Sequence, residues 1–352
     1  MTDQQSAVTR RRLLRAGTVA AGGILAGGVT GGTALAAPAS PPTPAGRLVA
    51  KPPALRPGDR VRIVAPARPA DPALLARGVE ILESWGLTVE IGAHVYDQHG
   101  FFAGTDADRL ADLRAAFTDP GVRGVFACRG GYGTQRIVDR FNPSGLGRDP
   151  RVFVGFSDLT ALHGRLWRTA RLATFYGPVM NWNDARTGPA SIESLRRAVM
   201  TTDPVTITRN PAEPSAAVMV PGRATGVLLG GTLTMLTTSF GAPDFPRLSG
   251  AILLFEDVDE AAYSVDRMLT QLRRVGALEG IAGVAVGQIT NSSGIPGYDL
   301  ATVLSDRLGD LGVPVLGGLP LGHGPGQLTV PLGVEATIDA EAGTLVTAPG
   351  VR

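Results

Sequence analysis

The sequence predicts an α/β protein with an N-terminal parallel sheet flanked by helices, followed by a smaller, β-rich α+β domain. Three observations carry that expectation. Between residues 60 and 200, short apolar runs alternate with helical stretches, the pattern of successive βαβ units. Pro204, Pro211, Pro214 and Pro221 then punctuate residues 203–222, which read as an extended connection. Beyond it, strand-like runs and helices follow one another without that regular alternation. A chain of 352 residues can bury a sizeable core without staples, which suits one cysteine, Cys128.

The elements follow in order. Residues 61–65 form an apolar run ended by Pro66. Asp71 offers an N-cap and Pro72 a first-turn residue, Leu74, Leu75, Gly78, Leu82 and Trp85 recur at helical spacing, and Gly86 stops the helix. Residues 88–91 are a second strand. Leu110, Leu113 and Phe117 mark a second helix, 124–128 and 152–155 two further strands, Leu159, Leu162 and Leu166 the next helix, and 174–176 a fifth strand. In the C-terminal part, strands are expected at 224–229, 251–255, 284–289, 328–330 and 335–339, with helices near 231–240, 260–274 and 298–308. The expected divisions are 54–202, a linker 203–222, and a domain 223–352. Two domains leave a cleft between them, a common place for a ligand.

The first residues read as an address. Thr9-Arg10-Arg11-Arg12-Leu13-Leu14-Arg15 precedes a weakly apolar run, 16–32, and then Ala34-Leu35-Ala36, a small-x-small cut site. The arginine pair followed by Leu-Leu resembles a twin-arginine signal, with cleavage expected after Ala36. Residues 37–53 are a Pro/Ala-rich leader. The run is too dilute in apolar residues for a retained transmembrane helix, so no stable membrane insertion is expected after cleavage. The charge balance agrees. Of 33 basic and 31 acidic residues, the signal holds four arginines and one acid, so the remainder carries 29 against 30. The pI near 9 therefore belongs largely to the signal. With no block of like charge and no aromatic–basic interleaving, nucleic acid is not an expected partner. Four scattered histidines and a single cysteine give no metal-ligand spacing, so no metal and no cofactor are expected.

Four segments carry chemistry-bearing residues. Arg129-Gly130-Gly131-Tyr132-Gly133 follows a strand and lets backbone amides approach a ligand, but fits neither a P-loop nor the dinucleotide fingerprint, so a nucleotide oxidoreductase is disfavoured. Gly155-Phe156-Ser157-Asp158 runs from an apolar strand into a helix, the layout of a nucleophile elbow. By itself it reads more simply as Ser157 capping a helix with Asp158 in the first turn. Residues 252–255 end in Glu256-Asp257-Val258-Asp259-Glu260, where Glu256 could orient a histidine or the acids could form a solvated turn. His323 sits in a Gly/Pro loop. His163 lies six residues after Ser157, inside the helix, and should point away from the elbow. His94 and His99 have no elbow-like partner.

In this order and at these distances, the segments resemble the LD-carboxypeptidase family of serine peptidases. The matching stretches are the Arg-Gly-Gly-Tyr-Gly turn, residues 155–163, Gly177-Pro178, residues 230–233, residues 254–260 through Tyr263, Asp266–Leu269 and Leu272, and Gly322-His323 with Pro331-Leu332-Gly333. The resemblance spans about residues 55–340. It implies a triad of Ser157, Glu256 and His323 and an oxyanion hole from the amides of Gly130, Gly131 and Asp158. It also implies a site at the junction of two domains, and a homodimer. Tyr176 stands where many relatives have His, a position outside that triad. The implied activity is hydrolysis of the L,D-peptide bond before the terminal D-alanine of a murein tetrapeptide stem. With the signal, this becomes an exported, periplasmic, extracellular or wall-associated enzyme of a small peptide substrate. Two alternatives stand beside it. One is a microcin-immunity-type peptidase acting on aminoacyl-nucleotide conjugates, which would need an aromatic surface such as Trp182. The other is a non-catalytic exported peptide binder.

Overall fold

Residues 48–352 are described by the computed structural model; the expected signal, 1–36, and the expected leader as far as residue 47 lie outside the described residues. In chain order the first elements are β1 (Arg60–Val64), α1 (Pro72–Ser84), β2 (Thr88–Ile91), α2 (Asp106–Thr118), β3 (Val122–Ala127), α3 (Thr134–Val138), β4 (Val152–Gly155), α4 (Thr160–Ala170), β5 (Thr174–Tyr176) and α5 (Pro189–Met200). There follow β6 (Val205–Thr208), β7 (Met219–Val220), β8 (Arg223–Thr232), α6 (Leu233–Thr238), β9 (Ala251–Val258), α7 (Ala262–Arg274), β10 (Gly283–Thr290) and α8 (Leu300–Leu308). The last are β11 (Val315–Leu316), β12 (Val330–Leu332), β13 (Glu335–Asp339) and β14 (Thr344–Thr347). Among the described residues no helix is long and apolar enough to cross a membrane.

Helix α1 forms as its sequence dictates. Asp71 Oδ1 accepts from the amides of Ala73 (2.9 Å) and Leu74 (3.1 Å), and Pro72 fills a first-turn position that needs no amide. Its apolar face buries Leu75, Gly78, Ile81 and Leu82, and Gly86 ends it with φ of 80°. The first sheet runs β12-β5-β4-β3-β1-β2, with β1 to β5 parallel and β12 antiparallel at the edge. Strand side chains alternate between its faces. Phe126 packs with α1 and α5, whereas Val125 and Ala127 pack with α2, α3 and α4.

The second sheet runs β6-β14-β13-β8-β9-β10-β11-β7. Its centre, β8 to β11, is parallel, and its flanks are antiparallel. One face, through Leu253 and Phe255 of β9, packs on α7 and α8. The other, through Ile252 and Leu254, packs with Phe156, Tyr176 and Val330 from the first sheet's end of the molecule. By the same alternation, Glu256 belongs to this second face.

The structure adds α3, α5, β11 and β14 to the expected elements and differs from the sequence expectation in other ways. The run expected at 328–330 forms a strand at Val330–Leu332 that leaves the second sheet and pairs antiparallel with β5 of the first. Residues 203–222, expected as an extended connection, hold two strands separated by a 3₁₀ turn at Pro214–Ala217: β6 joins β14 and β7 joins β11 at the sheet's two edges. Ala50, inside the expected leader, is held too, with its amide donating to Arg171 O (2.9 Å) and the Ala173 amide donating to Ala50 O (3.0 Å).

Arg109 on α2 ties three segments together. Its buried guanidinium donates to Pro66 O after β1 (2.6 Å), to Gly133 O before α3 (2.9 Å), and to Asp106. Replacing Arg109 with Leu removes donors from buried carbonyls and should destabilise the fold by about 3 kcal/mol. Urea unfolding of the two proteins measures this, and a change under about 0.5 kcal/mol, the level of ordinary surface substitutions, would contradict the role given to Arg109.

Candidate active site

Strand β4 delivers Ser157 to the end of the first sheet. Ser157 has φ of 64°, unusual for a residue with a Cβ, and a short 3₁₀ turn, Ser157–Leu159, leads into α4. The sharp turn projects the hydroxyl outward instead of letting it cap the helix. Thr160 steadies it: its hydroxyl donates to Ser157 O (2.7 Å) and accepts from the Thr232 amide of β8 (3.1 Å).

Strand β9 brings Glu256 to the same point from the second sheet, and the chain between β11 and β12 brings His323. The His323 ring bridges the other two, with Nε2 2.9 Å from Ser157 Oγ and Nδ1 2.6 Å from Glu256 Oε2. A proton on Nδ1, donated to the carboxylate, leaves Nε2 free to accept from the serine hydroxyl. Gln288 props the loop, accepting the Gly324 amide (2.8 Å) and donating to Pro325 O (3.0 Å). The Phe156 ring lies 4.8 Å from the imidazole, centroid to centroid.

Glu256 is fully buried, and its other oxygen is also engaged. Oε1 accepts from the Tyr176 hydroxyl (2.6 Å) and the Thr232 hydroxyl (2.7 Å). Tyr176 and Thr232 therefore belong to the site, although neither is part of the expected set. The Tyr176 hydroxyl further accepts from the Ser157 amide (3.4 Å). Burial, reinforced by the Glu256 carboxylate, holds its pKa well above the usual phenol value, so it keeps its proton and donates it to Glu256. Its presence could have been read from topology alone: in the parallel pairing of β4 and β5, Gly155 sits opposite Tyr176.

The expected oxyanion residues lie beside the serine. Gly130 packs on it so closely that a Cβ there would come within 3.0 Å of Ser157 Cβ and 3.2 Å of Oγ. The amides of Gly130, Gly131 and Asp158 donate to no protein acceptor among the described residues. The Asp158 side chain is turned inward, where Oδ2 accepts from the Thr134 amide (2.8 Å) and fixes the glycine turn against the elbow. Burial raises the pKa of its carboxyl group. A cleft of about 610 Å³ opens over Ser157, His323, Gly130 and Gly131.

Other chemistry-bearing residues stand apart from this line. His94 pairs with Asp97 (2.7 Å), and the backbone of His99 bridges to Phe102. Asp257, pushed up to about 6 by burial, accepts from the amide (2.8 Å) and hydroxyl (2.9 Å) of Thr234. Asp259 lines the cleft and accepts from Asn291 (2.8 Å), while Asp266 accepts from the Tyr298 hydroxyl (2.7 Å). The Cys128 thiol is buried and pushed up to about 12, so it stays protonated. Among the described residues no three His, Cys, Asp or Glu side chains converge to hold a metal ion.

The sequence matches the LD-carboxypeptidase N-terminal domain over residues 61–177 and the LD-carboxypeptidase C-terminal domain over residues 225–338. An inferred carboxypeptidase of Streptomyces coelicolor is 42% identical over 304 residues, covering 85% of this chain and 96% of that protein. A Bacillus subtilis protein named "probable murein peptide carboxypeptidase" is 36% identical over 306 residues, covering 86% and 95%. Among solved structures, muramoyltetrapeptide carboxypeptidase from Oxalobacter formigenes superposes with a TM-score of 0.73 at 30% identity, covering 82% of this chain and 98% of its own.

His163 lies behind the elbow, as its place inside the helix suggests. Its Nε2 donates to Gly155 O (2.9 Å) and Nδ1 accepts from the Thr174 hydroxyl (2.8 Å), an arrangement that needs the neutral ring. Burial holds its pKa down at about 4 against an ordinary 6.5. The unfolded chain therefore takes up a proton below pH 6.5 that the folded chain refuses until about 4. The stabilisation is complete above pH 6.5 and is lost as pH falls through that window, at about 1.4 kcal/mol per pH unit. Denaturant titrations across the window should show this slope reduced in His163→Gln. An identical slope in both proteins would contradict the assignment.

Proposed function

The chain belongs to the LD-carboxypeptidase family, and from that premise we propose an exported serine carboxypeptidase that cleaves the L,D-peptide bond before the terminal D-alanine of murein tetrapeptide stems. The observation that carries the reading is the continuous hydrogen-bonded line from Ser157 through His323 to the buried Glu256, at the floor of an open cleft. The murein substrate is supported by the names of the Bacillus and Oxalobacter relatives. Export is supported by the arginine pair, apolar run and cut site of residues 1–36. In this reading the proposed N-terminal domain, 54–202, supplies the nucleophile, and the C-terminal domain, 223–352, supplies the base and its orienting acid.

The steps follow from the geometry. Ser157 Oγ attacks the carbonyl carbon of the third stem residue while His323 Nε2 takes its proton. Glu256 holds Nδ1–H and stabilises the imidazolium that forms. The carbonyl oxygen becomes an oxyanion against the amides of Gly130, Gly131 and Asp158, which have no other acceptor to leave among the described residues. Collapse breaks the C–N bond, and His323 returns the proton to the departing amine of D-alanine. Water, deprotonated by His323, then attacks the acyl-Ser157 ester and restores the free hydroxyl.

A nucleotide-conjugate substrate fits less well. Trp182, the aromatic surface that reading needs, is buried, with its indole N–H donated to Asp184 and to Thr187 O (both 3.1 Å).

Mature protein incubated with a stem tetrapeptide should release D-alanine. Ser157→Ala and His323→Ala should each lower kcat by about a million-fold, and Glu256→Gln by roughly 10,000-fold, with thermal unfolding unchanged enough to show folded protein. D-alanine release at near-normal rates in any of the three would refute the roles assigned. For export, mass spectrometry of the secreted protein should find Ala37 at the N-terminus. Replacing Arg10 and Arg11 with Lys should leave uncut precursor inside the cell, and normal processing of that variant would refute the twin-arginine route.

A further inference from the structure

We propose that Arg186, assisted by the side-chain amide of Gln327, is the subsite that receives the substrate's terminal carboxylate. The inference deepens the reading of the site as a serine carboxypeptidase and rests on it. Such an enzyme must recognise a chain end, and no group in the Ser157–His323–Glu256 line does so.

Both residues line the cleft with Ser157 and His323, and both carry buried polar atoms without a hydrogen-bond partner among the described residues. Among the described residues the Arg186 guanidinium takes part in no ion pair or hydrogen bond, and its Nε is buried without an acceptor. Gln327 is 0% exposed, yet neither its amide nitrogen nor its oxygen is satisfied. Buried polar groups of this kind cost stability, and natural proteins keep them where a ligand completes the bonding. Burial also disfavours the charged form of Arg186, with the Glu256 carboxylate opposing that effect. A planar fork of donors held in a partly desolvated site is the arrangement that binds a carboxylate bidentately.

Position selects Arg186 over the other two arginines of the cleft, Arg68 and Arg129. The leaving amine takes its proton from His323, so D-alanine must lie on the His323 side of Ser157. Its carboxylate is two bonds beyond that nitrogen. The Phe156 ring is shared by His323, at 4.8 Å, and the Arg186 guanidinium, at 5.2 Å. The Arg186 carbonyl accepts from the Gly326 amide (2.9 Å), which joins its loop to the loop of His323 and Gln327. The Arg186 loop is itself closed, with the Arg186 amide donating to Asn183 O (3.0 Å). Arg129 instead belongs to the glycine turn, and Arg68 packs its stem on Gly131, so both stand on the oxyanion side.

Calorimetry with the Ser157→Ala protein tests this without turnover, using a stem tetrapeptide ending in free D-alanine and the same peptide ending in D-alanine amide. The free acid should bind about 100-fold more tightly. In the Ser157→Ala/Arg186→Met protein that ratio should fall to within a few-fold of one, and in Ser157→Ala/Arg186→Lys to an intermediate value. Gln327→Leu, close in volume, should also narrow the ratio while raising the melting temperature, because an unsatisfied buried amide is removed. Equal binding of acid and amide by Ser157→Ala, or a 100-fold ratio that survives Arg186→Met and Arg186→Lys, would overturn the subsite and leave the carboxypeptidase reading intact. A carboxylate preference that depends on Arg186, in a wild-type protein that releases no D-alanine, would uphold the subsite and overturn that reading.

Discussion

The junction of the two sheets is organised by one buried carboxyl group. Glu256 has no exposed surface, and both of its oxygens are occupied, Oε2 by His323 and Oε1 by Tyr176 and Thr232. A carboxylate in such a place is tolerable only when fully hydrogen-bonded. Meeting that requirement recruits the end of β5, the end of β8 and the loop between β11 and β12. It also constrains the smallest residue nearby: a Cβ on Gly322, with φ of 129°, would collide with Glu256 Oε2. The antiparallel return of β12 to the first sheet then follows as part of the same arrangement, since it carries the His323 loop across the junction.

Ser157 is coupled to this group by the same hydroxyls. A left-handed serine costs about 1 kcal/mol, and the elbow holds it with contacts on every side. Thr160 links Ser157 O to the Thr232 amide, and Thr232 in turn donates to Glu256. Tyr176 touches both the Ser157 amide and Glu256. Asp158 ties the glycine turn to the elbow through Thr134, and Arg109 holds the next carbonyl, Gly133 O. Ser157, Glu256 and the glycine turn are therefore set by one network, in which a shift of any strand end is felt by the others.

Much of this was legible in the sequence, for reasons that are local. Helix α1 announces itself through Asp71, Pro72, a 3.6-residue apolar spacing and Gly86, all within sixteen residues of chain. The βα alternation of the first sheet is likewise a matter of short periods. Ser157 was ambiguous alone, because a serine and an acid after an apolar strand serve a helix cap as well as an elbow. The family resemblance, not the segment, separated the two. His163 and His323 illustrate the same limit: helical spacing turns the first inward, but only the fold brings the second to Ser157, 166 residues away in sequence. The return of β12 left no pattern, since three residues with Pro331 at the centre carry no period, and a central proline is tolerated there because the strand lies at an edge. Tyr176 stood out only as a departure from the family pattern, and Thr232, Arg186 and Gln327 were silent for a related reason. Each looks ordinary beside its neighbours in the chain, and its meaning comes from partners or from a cleft built by distant segments.

The central claim is that Ser157 forms a covalent ester during turnover, driven by His323 and Glu256. Acid quenching of mature enzyme during steady turnover of a stem tetrapeptide, followed by peptide mass spectrometry, tests it directly. The account predicts an adduct on Ser157 with the mass of the stem lacking its D-alanine, absent from the Glu256→Gln protein over the same interval. Steady D-alanine release with Ser157 always unmodified, or with the adduct on another residue, would contradict it.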